Sequence, residues 1–570
     1  MADTFKSFRN KKDHFMREAL GGLVAAHPFA EWHDEGFVGL MRDAATSGPP
    51  RVAVISGGGS GHEPMHAGFV GPGMLDAACP GLLFTSPNAV QVGAATEWAD
   101  QGNGVVHVVK NYTGDVMNFT VAANSTNVDV EQVLVADDVA TEIDEEDDSP
   151  GRRGTGATII VEKIAGAAAA RGDDLKAVAE VAQRAADRSR SMAVALQPGH
   201  SPTSDRDTFD LEDGQIEIGV GIHGEPGVER RETDEDKRPS AAALVTELLD
   251  GILESLGKAG VDTDGAEVAL LVNGLGGTSE LEMDLVFGEA LTQLADRGVT
   301  VRRGIRGSLV TSLNMAGISL TLTVLDEELL ELLDAETSAP AWPAVARDPE
   351  YADARTVDDE EQPDEGGENA WLTAFVERLA GGFDDLTALD RQAGDGDFGQ
   401  NMEAAFGDVD TPIMGSDADV LNFFAHRMLV RAGGTSGAVL GTLFRAMADA
   451  FEEAGVDSRD ADGGAFAGAL ADGLARGNEQ ITDLGGAKEG DNTLIDALAP
   501  SAQAAKDADG SVDDVLEHVF GPAVEGAKST RGMQAKKGRA SYLGESAKDV
   551  PDPGAIAVTW LFGEAGVDEF

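Results

Sequence analysis

Through the first half of the chain, short runs of β-branched and other apolar residues recur between glycine-rich turns and alanine-rich stretches. Segments 51–56 (RVAVIS), 104–110 (GVVHVVK), 130–136, 191–196, 216–223, 267–272 and 318–325 read as strands. Residues 158–171 and 241–258 carry the spacing of helices. Such alternation predicts α/β layers, with functional groups on loops at the strand ends.

The pattern breaks down over 334–369, where Pro340, Pro343, Pro349 and Pro363 accompany the acidic run Asp358-Asp359-Glu360-Glu361. Its composition is that of a linker. Beyond it strands largely vanish, and 370–380, 417–431, 438–453, 464–474 and 511–528 all allow helices. The expected organisation is an α/β domain over 1–335, an acidic, proline-containing linker over 336–368 and an all-α domain over 369–570. A smaller acidic insert, 141–149, is expected to be an exposed loop.

Charge changes the picture of the solvent more than that of the chemistry. Against 43 Lys and Arg stand 101 Asp and Glu, a formal net charge of −58. No basic stripe able to follow a nucleic-acid backbone stands out, so nucleic acid is not an expected partner. Acidic residues alternate with regular apolar segments rather than replacing them, which argues against disorder. A solvated acidic shell suited to concentrated salt, as in a halophile, is the expectation, since self-repulsion at this charge is screened within about 3 Å at 1 M salt. There is no long uncharged apolar run and no apolar segment near the charged N-terminus, so neither a membrane nor a secretory path is expected, and the expected location is cytoplasmic. Cys79 is the only cysteine, which excludes an intramolecular disulfide and a thiolate metal cluster; its setting reads as a small packed residue.

Five segments carry candidate chemistry. Gly57 to Pro64 (GGGSGHEP) offers successive backbone N–H groups to an anion and holds His62 at a strand end, yet lacks the lysine and hydroxyl that close a P-loop. Lys110 to Phe119 (KNYTGDVMNF) puts Lys110, Asn111 and Asp115 on one loop. A carboxylate and a histidine on neighbouring strand-end loops suit acid/base work on a hydroxyl, and Asp115 as a helix N-cap is the compatible structural reading. Gly219 to Pro226 (GVGIHGEP) sets His223 between glycines, open to a small ligand as nucleophile or base. In Leu389 to Met402 (LDRQAGDGDFGQNM), Asp390, Asp395 and Asp397 fall at i, i+5 and i+7, and Gly394 and Gly396 let the chain fold so that the carboxylates converge. Hard oxygen ligands without histidine or cysteine suit Mg²⁺ and phosphate oxygens; a Ca²⁺ loop of EF-hand spacing is not met, and a solvated acidic cluster is the alternative. Gly433-Gly434-Thr435-Ser436-Gly437 opens an alanine-rich helix, suited to a phosphate or to simple capping.

Together with GRRGTGATIIVEKIAG from Gly151, GDNTLIDAL from Gly490, GRASYLG from Gly538 and the DPGA segment at Asp552, these motifs resemble the dihydroxyacetone kinase family over nearly the whole chain. The form resembled fuses a substrate-binding K domain to a nucleotide-binding L domain. The resemblance implies a K domain of two α/β subdomains followed by an antiparallel helical barrel, often as a homodimer. It implies phosphorylation of dihydroxyacetone by ATP with two Mg²⁺ ions. His223 matches the histidine that adds to the ketone carbonyl as a hemiaminal. Gly59, Ser60, Gly61 and His62, with Lys110 and Asp115, match the pocket for the hydroxyl arms; His62 and Asp115 would act on the attacking hydroxyl. Asp390, Asp395 and Asp397 match the metal aspartates. Asp397, Phe398, Gly399, Gln400, Thr435, Ser436, Gly485, Thr493, Leu494, Asp552, Pro553 and Gly554 match nucleotide contacts. Asn492 departs from the usual basic residue, as does Asp549-Val550 from Gly-His.

Three other activities fit the same motifs: glyceraldehyde phosphorylation, cyclising FAD-AMP lysis at the nucleotide site, and phosphate drawn from a carrier protein. Fusion of K to L favours free ATP over the carrier. A non-catalytic K-like sensor would have no use for the metal aspartates.

Overall fold

The computed structural model describes residues 7–41, 49–142, 151–233, 238–352, 361–393, 396–537, 541 and 549–570. The chain divides into two compact units, Met1–Asp353 and Ala354–Phe570.

In the first unit β1 (Ala30–His33), β2 (Phe37–Leu40), β3 (Ala53–Ser60), β4 (Ala77–Leu83), β5 (Val105–Lys110) and β6 (Val130–Val135) form one sheet, ordered β1-β2-β4-β3-β5-β6. Its core, β4-β3-β5-β6, is parallel, and the hairpin β1-β2 adds antiparallel to β4. Every residue of β3 and β5 is buried, which is why both read as unbroken apolar runs. After β7 (Ser189–Gln197), a two-stranded ribbon pairs β8 (His200–Ser201) with β9 (Arg206–Asp207). A second sheet joins β7 to β10 (Gln215–Ile218), β11 (Glu229–Glu232), β12 (Glu267–Gly274), β13 (Thr300–Gly307), β14 (Ala316–Val324) and β15 (Ala346–Arg347) in the order β11-β10-β7-β14-β12-β13-β15. Only β12-β13 is parallel there. Helix Ala157–Arg171 packs against strands of both sheets and is buried from Ala157 to Ala169, so its sequence is apolar on all sides rather than amphipathic.

Three expectations change. The glycines of 57–59, read as a turn, remain inside β3 and pair with β4; a Cβ on Gly57 would stand 2.7 Å from the Cys79 carbonyl oxygen. The segment therefore stays extended as strand, and the chain turns at Gly61, at φ +105°. Strand 216–223 stops at Ile218, because Gly219 and Gly224 adopt φ +74° and +78° and lift His223 into a loop. Residues 336–352 do not behave as a free linker: Ala339 and Trp342 pack on the core, Thr337 donates to the Pro72 carbonyl at 2.9 Å, and β15 pairs with β13. Residues 143–150, most of the acidic insert, lie outside the described residues. Cys79 is buried, as a packed residue would be.

The second unit is helical: Ala370–Ala380, Phe383–Ala393, Phe398–Phe406, Asp417–Arg431, Gly434–Ala454, Gly463–Gly485, Ile495–Lys506, Val512–Thr530 and Pro553–Thr559. From Asp417 onward each helix packs on the next, and Pro553–Thr559 returns to Phe383–Ala393, closing the ring. Side chains of Ala370–Ala380 fill the core, where Phe375 meets Phe406, Phe424 and Phe444. Asn369, Ser416, Asp462 and Ser511 cap their helices with side-chain oxygens, each satisfying an otherwise orphaned N–H. No helix among the described residues is long and apolar enough to cross a membrane.

Candidate active site

Beyond β3 the chain turns at Gly61 and delivers His62 to a fully buried position. Its Nδ1 lies 2.7 Å from the Thr311 carbonyl oxygen, which can only accept, so Nδ1 carries the proton and the lone pair sits on Nε2. Nε2 is buried with no hydrogen-bond partner. Burial, then the proximity of His223 and Lys110, holds the imidazole well below its usual pKa, hence neutral.

His223 stands edge-on to His62, ring centroids 4.7 Å apart. Glu225 holds it twice, accepting from its backbone N–H at 2.9 Å and from Nδ1 at 3.0 Å. A proton on Nδ1 leaves the Nε2 lone pair for a ligand. Burial pulls the Glu225 pKa upward, but the hydrogen bond from His223, with Arg153 at 4.0 Å, outweighs it and holds the carboxyl at about 2. Phe84 and Tyr112 present their rings to His223 at 5.5 and 4.6 Å.

Lys110, the last residue of β5, is wholly buried and donates to His66 Nε2 at 2.7 Å and to the Gly57 carbonyl at 3.2 Å. Gly58 leaves room for it: a Cβ there would lie 2.0 Å from Nζ. Asp115 is buried in the first turn of helix Thr113–Ser125, where Tyr112 and not Asp115 is the N-cap. One carboxylate oxygen lies 3.8 Å from Lys110 Nζ, and the other is buried without a partner. Gly59 and Ser60 lie at the end of β3, Ser60 donating to the Gly81 carbonyl at 2.7 Å. Lys110 thus links to Asp115, and His62 to His223, in a site with two unpartnered buried acceptors. Such acceptors await hydroxyl donors.

In the second unit, Asp390 is buried and accepts from Phe398 N–H at 3.0 Å, while Asp397 takes the N-cap position of helix Phe398–Phe406. Asp552 caps helix Pro553–Thr559 through Ala555 N–H at 2.7 Å. Burial, reinforced by Asp496 and Asp390, pushes the Asp552 carboxyl up to about 7. A Cβ on Gly554 would meet Leu494 and the Phe398 ring at 3.4 and 3.6 Å, so the DPGA loop lies against both. Ser436 accepts from Asn401 at 3.0 Å, tying the Gly433 loop to the same helix, whose Gly399 is buried and Gln400 exposed. Thr493 N–H donates to Asp496 at 2.9 Å. Gly485 accepts from Lys537 at 2.9 Å, and Thr435 is exposed. Asn492 adopts φ +58°, a left-handed conformation asparagine tolerates, and donates to the Met533 carbonyl at 3.3 Å. Asp395 and most of 538–544 lie outside the described residues. Among the described residues no group of three or more His, Cys, Asp or Glu is placed to hold an ion. The donor chemistry nonetheless fits a hard cation: Asp390 and Asp496 stand close enough to Asp552 to help raise its pKa, and carboxylate oxygens are the ligands such an ion takes.

His66, Glu162, Glu225, Thr311 and Asp496 were not singled out from the sequence. Glu162, a carboxylate inside an apolar helix, and Glu225, two residues after a glycine-flanked histidine, carried a readable signal; Thr311 contributes only its backbone.

Residues 21–341 match the Dak1 domain, and 392–565 the DAK2 domain. Triokinase/FMN cyclase of Rattus norvegicus is 35% identical, covering 98% of this chain and 97% of its own. L-erythrulose 1-kinase of Mycolicibacterium smegmatis is 37% identical, with 98% of each chain covered. The crystal structure of the dihydroxyacetone kinase from C. freundii in complex with AMP-PNP and Mg²⁺ superposes with a TM-score of 0.60, at 31% identity over 98% of each chain.

Proposed function

We propose that this chain, which belongs to the dihydroxyacetone kinase family in the form that fuses a Dak1 to a DAK2 domain, transfers the γ-phosphoryl group of ATP to a hydroxyl of dihydroxyacetone held covalently on His223. The observation that carries this reading is the edge-on pair of imidazoles, buried His62 and partly buried His223, each tied back through Nδ1. His223 Nε2 adds to the ketone carbon as the C=O π bond breaks onto oxygen; the oxygen takes a proton from solvent and Nδ1 releases its own by way of Glu225, giving a neutral hemiaminal that fixes the substrate's orientation. Gly59, Ser60 and Gly61 line the pocket for the hydroxyl arms. Lys110 and Asp115 receive one arm, and His62 and Asp115 orient the attacking hydroxyl and accept its proton.

In the DAK2 unit, Asp390, Asp395 and Asp397 would hold two Mg²⁺ ions, which neutralise the phosphate oxygens of bound ATP. The loops at Asp397 to Gln400, Thr435-Ser436, Gly485, Thr493-Leu494 and Asp552 to Gly554 enclose the nucleotide. A cytoplasmic location, a halophilic solvent and a homodimer belong to the same reading, as do the domains 1–335 and 369–570, with 336–352 packed on the first of them.

The names of the relatives extend the acceptors worth testing to glyceraldehyde and erythrulose, and the nucleotide chemistry to FAD. The test is ATP consumption with dihydroxyacetone, glyceraldehyde, erythrulose and glycerol side by side in concentrated KCl, with FAD and Mn²⁺ as a separate arm. Wild-type protein should favour ketones over glycerol, which has no electrophilic carbon, and His223→Ala should lose that discrimination. Loss of rate in His223→Ala with discrimination intact defeats the covalent model.

A further inference from the structure

Behind the proposed hydroxyl pocket, Lys110 is joined to two buried ionisable groups to which the reaction above gives no part. Glu162 Oε1 stands 2.6 Å from His66 Nδ1, and His66 Nε2 stands 2.7 Å from Lys110 Nζ. His66 is 5% exposed, and Glu162 and Lys110 are at 0%. The tautomer follows from the partners. Lys110 as an ammonium can only donate, so His66 Nε2 accepts and Nδ1 carries the proton. That proton points at Glu162, with Ser56 Oγ, which donates to the Val108 carbonyl at 2.8 Å, 3.1 Å away on the same side. A buried ammonium, a neutral imidazole and a carboxylate in line let the acid at one end support the cation at the other through the ring. Burial pushes the Glu162 carboxyl up to about 8 while Ser56 and the Lys110 charge pull it back, so its anionic form depends on the cation at the other end of the line; its second oxygen is buried without a partner.

We propose that His66 and Glu162 are positioning residues for Lys110: His66 anchors Nζ, and Glu162, acting through His66, keeps Lys110 cationic beside Asp115. The inference rests on the reading of Lys110 as the residue that meets a substrate hydroxyl. The charged or titratable groups facing this line are Asp115 from its helix, Glu162 from helix Ala157–Arg171, and His62 and His66 from the turn after β3.

Glu162→Gln preserves an acceptor for His66 Nδ1 but removes both the charge and the proton acceptor. The expected result is a fall of about tenfold or more in kcat/KM for the acceptor, an unchanged KM for ATP, and an alkaline limb of the pH profile displaced downward by about one unit. A folded variant whose pH profile overlays that of wild type overturns the proposal. Should Glu162→Gln fail to fold, ¹⁵N-histidine NMR of wild-type protein decides. His66 must hold the Nδ1–H tautomer and stay neutral down to about pH 5; an Nε2–H tautomer, or protonation above that pH, overturns it. The NMR arm needs no turnover. Wild-type protein inert toward every acceptor therefore defeats the proposed function while the NMR result still decides this one.

Discussion

Glu225 is the most revealing single substitution, because it holds His223 without touching the reaction. Its carboxylate accepts two hydrogen bonds from His223 and lies 4.0 Å from Arg153. Its pKa moves from 4.5 to about 2. At about 1.4 kcal/mol per unit, a drop of roughly 2.5 units corresponds to ~3 kcal/mol. The side chain is 33% exposed, and solvent screening reduces that to about 1–2 kcal/mol. Because the folded pKa is depressed, this stability is present above the unfolded value near 4.5 and is lost as pH falls toward about 2. Glu225→Gln should therefore melt a few degrees below wild type at pH 7, with the gap closing as the medium is acidified below about pH 4. The catalytic effect should be larger. A glutamine can turn its NH₂ toward Nδ1, which drives the ring proton to Nε2 and removes the nucleophilic lone pair. Replacement of a carboxylate by an amide behind a catalytic histidine lowers turnover by up to about 10⁴-fold through a wrong tautomer, and about 10²-fold or more is expected here. Coupled ADP release against dihydroxyacetone, alongside thermal melts across pH, measures both. A variant within threefold of wild type in kcat/KM, with parallel melting curves, refutes the reasoning.

Gly58→Ala puts a methyl 2.0 Å from Lys110 Nζ and 3.1 Å from His66 Nε2; the lysine must move, so turnover should fall by about 10²-fold for a stability loss of roughly 1–3 kcal/mol, and undiminished activity would dismiss the crowding. Asp552 carries the opposite sign from Glu225: its raised pKa of about 7 means its favourable protonated form is lost as pH rises through 7. Asp552→Asn without nucleotide or metal should accordingly melt higher than wild type at pH 8 and not at pH 4, while losing stabilisation by Mg·ATP; a lower melting point at pH 8 would contradict the repulsion. With a formal net charge of −58, the melting temperature should climb from dilute buffer to molar KCl, and a flat profile removes the halophile reading.

The parts of this protein that could be read from its sequence are those in which residue type and local conformation coincide. The interiors of β3, β5, β7, β12 and β14 are buried on both faces, so their apolar runs appear without help from neighbours. Helix Ala241–Lys258 runs to the bounds its periodicity predicts. What escaped were short pieces completed by a partner. The four-residue strands β1 and β2 and the two-residue β15 have no pattern long enough to see, and exist because an edge of a sheet accepts them. The glycines of β3 were misread for the same reason: glycine signals a turn locally, but here it answers to Cys79 and Lys110, residues brought in by other strands.

The candidate site divides along that line as well. His62, Lys110, Asp115 and His223 announce themselves by chemistry set among glycines or at a strand end. The groups that determine how they behave come from distant segments: the Thr311 carbonyl lies 249 residues from His62, and Glu162 lies 96 from His66. A lone histidine does not reveal which nitrogen carries its proton, because the tautomer belongs to the partner. For His62 the partner is a backbone oxygen that any residue at 311 could supply, so no sequence signal exists to find. For His66 it is Glu162, a carboxylate in a helix otherwise buried and apolar from Ala157 to Ala169, apart from Thr158 and Lys163. A charge in such a helix is costly unless paired. Lys163 is answered by the Leu332 carbonyl at 2.8 Å, whereas Glu162 is answered by an imidazole that leads to the site. An acid buried in a helix that is otherwise mostly apolar is therefore the kind of residue from which a sequence reading can infer a buried partner before any coordinate places it.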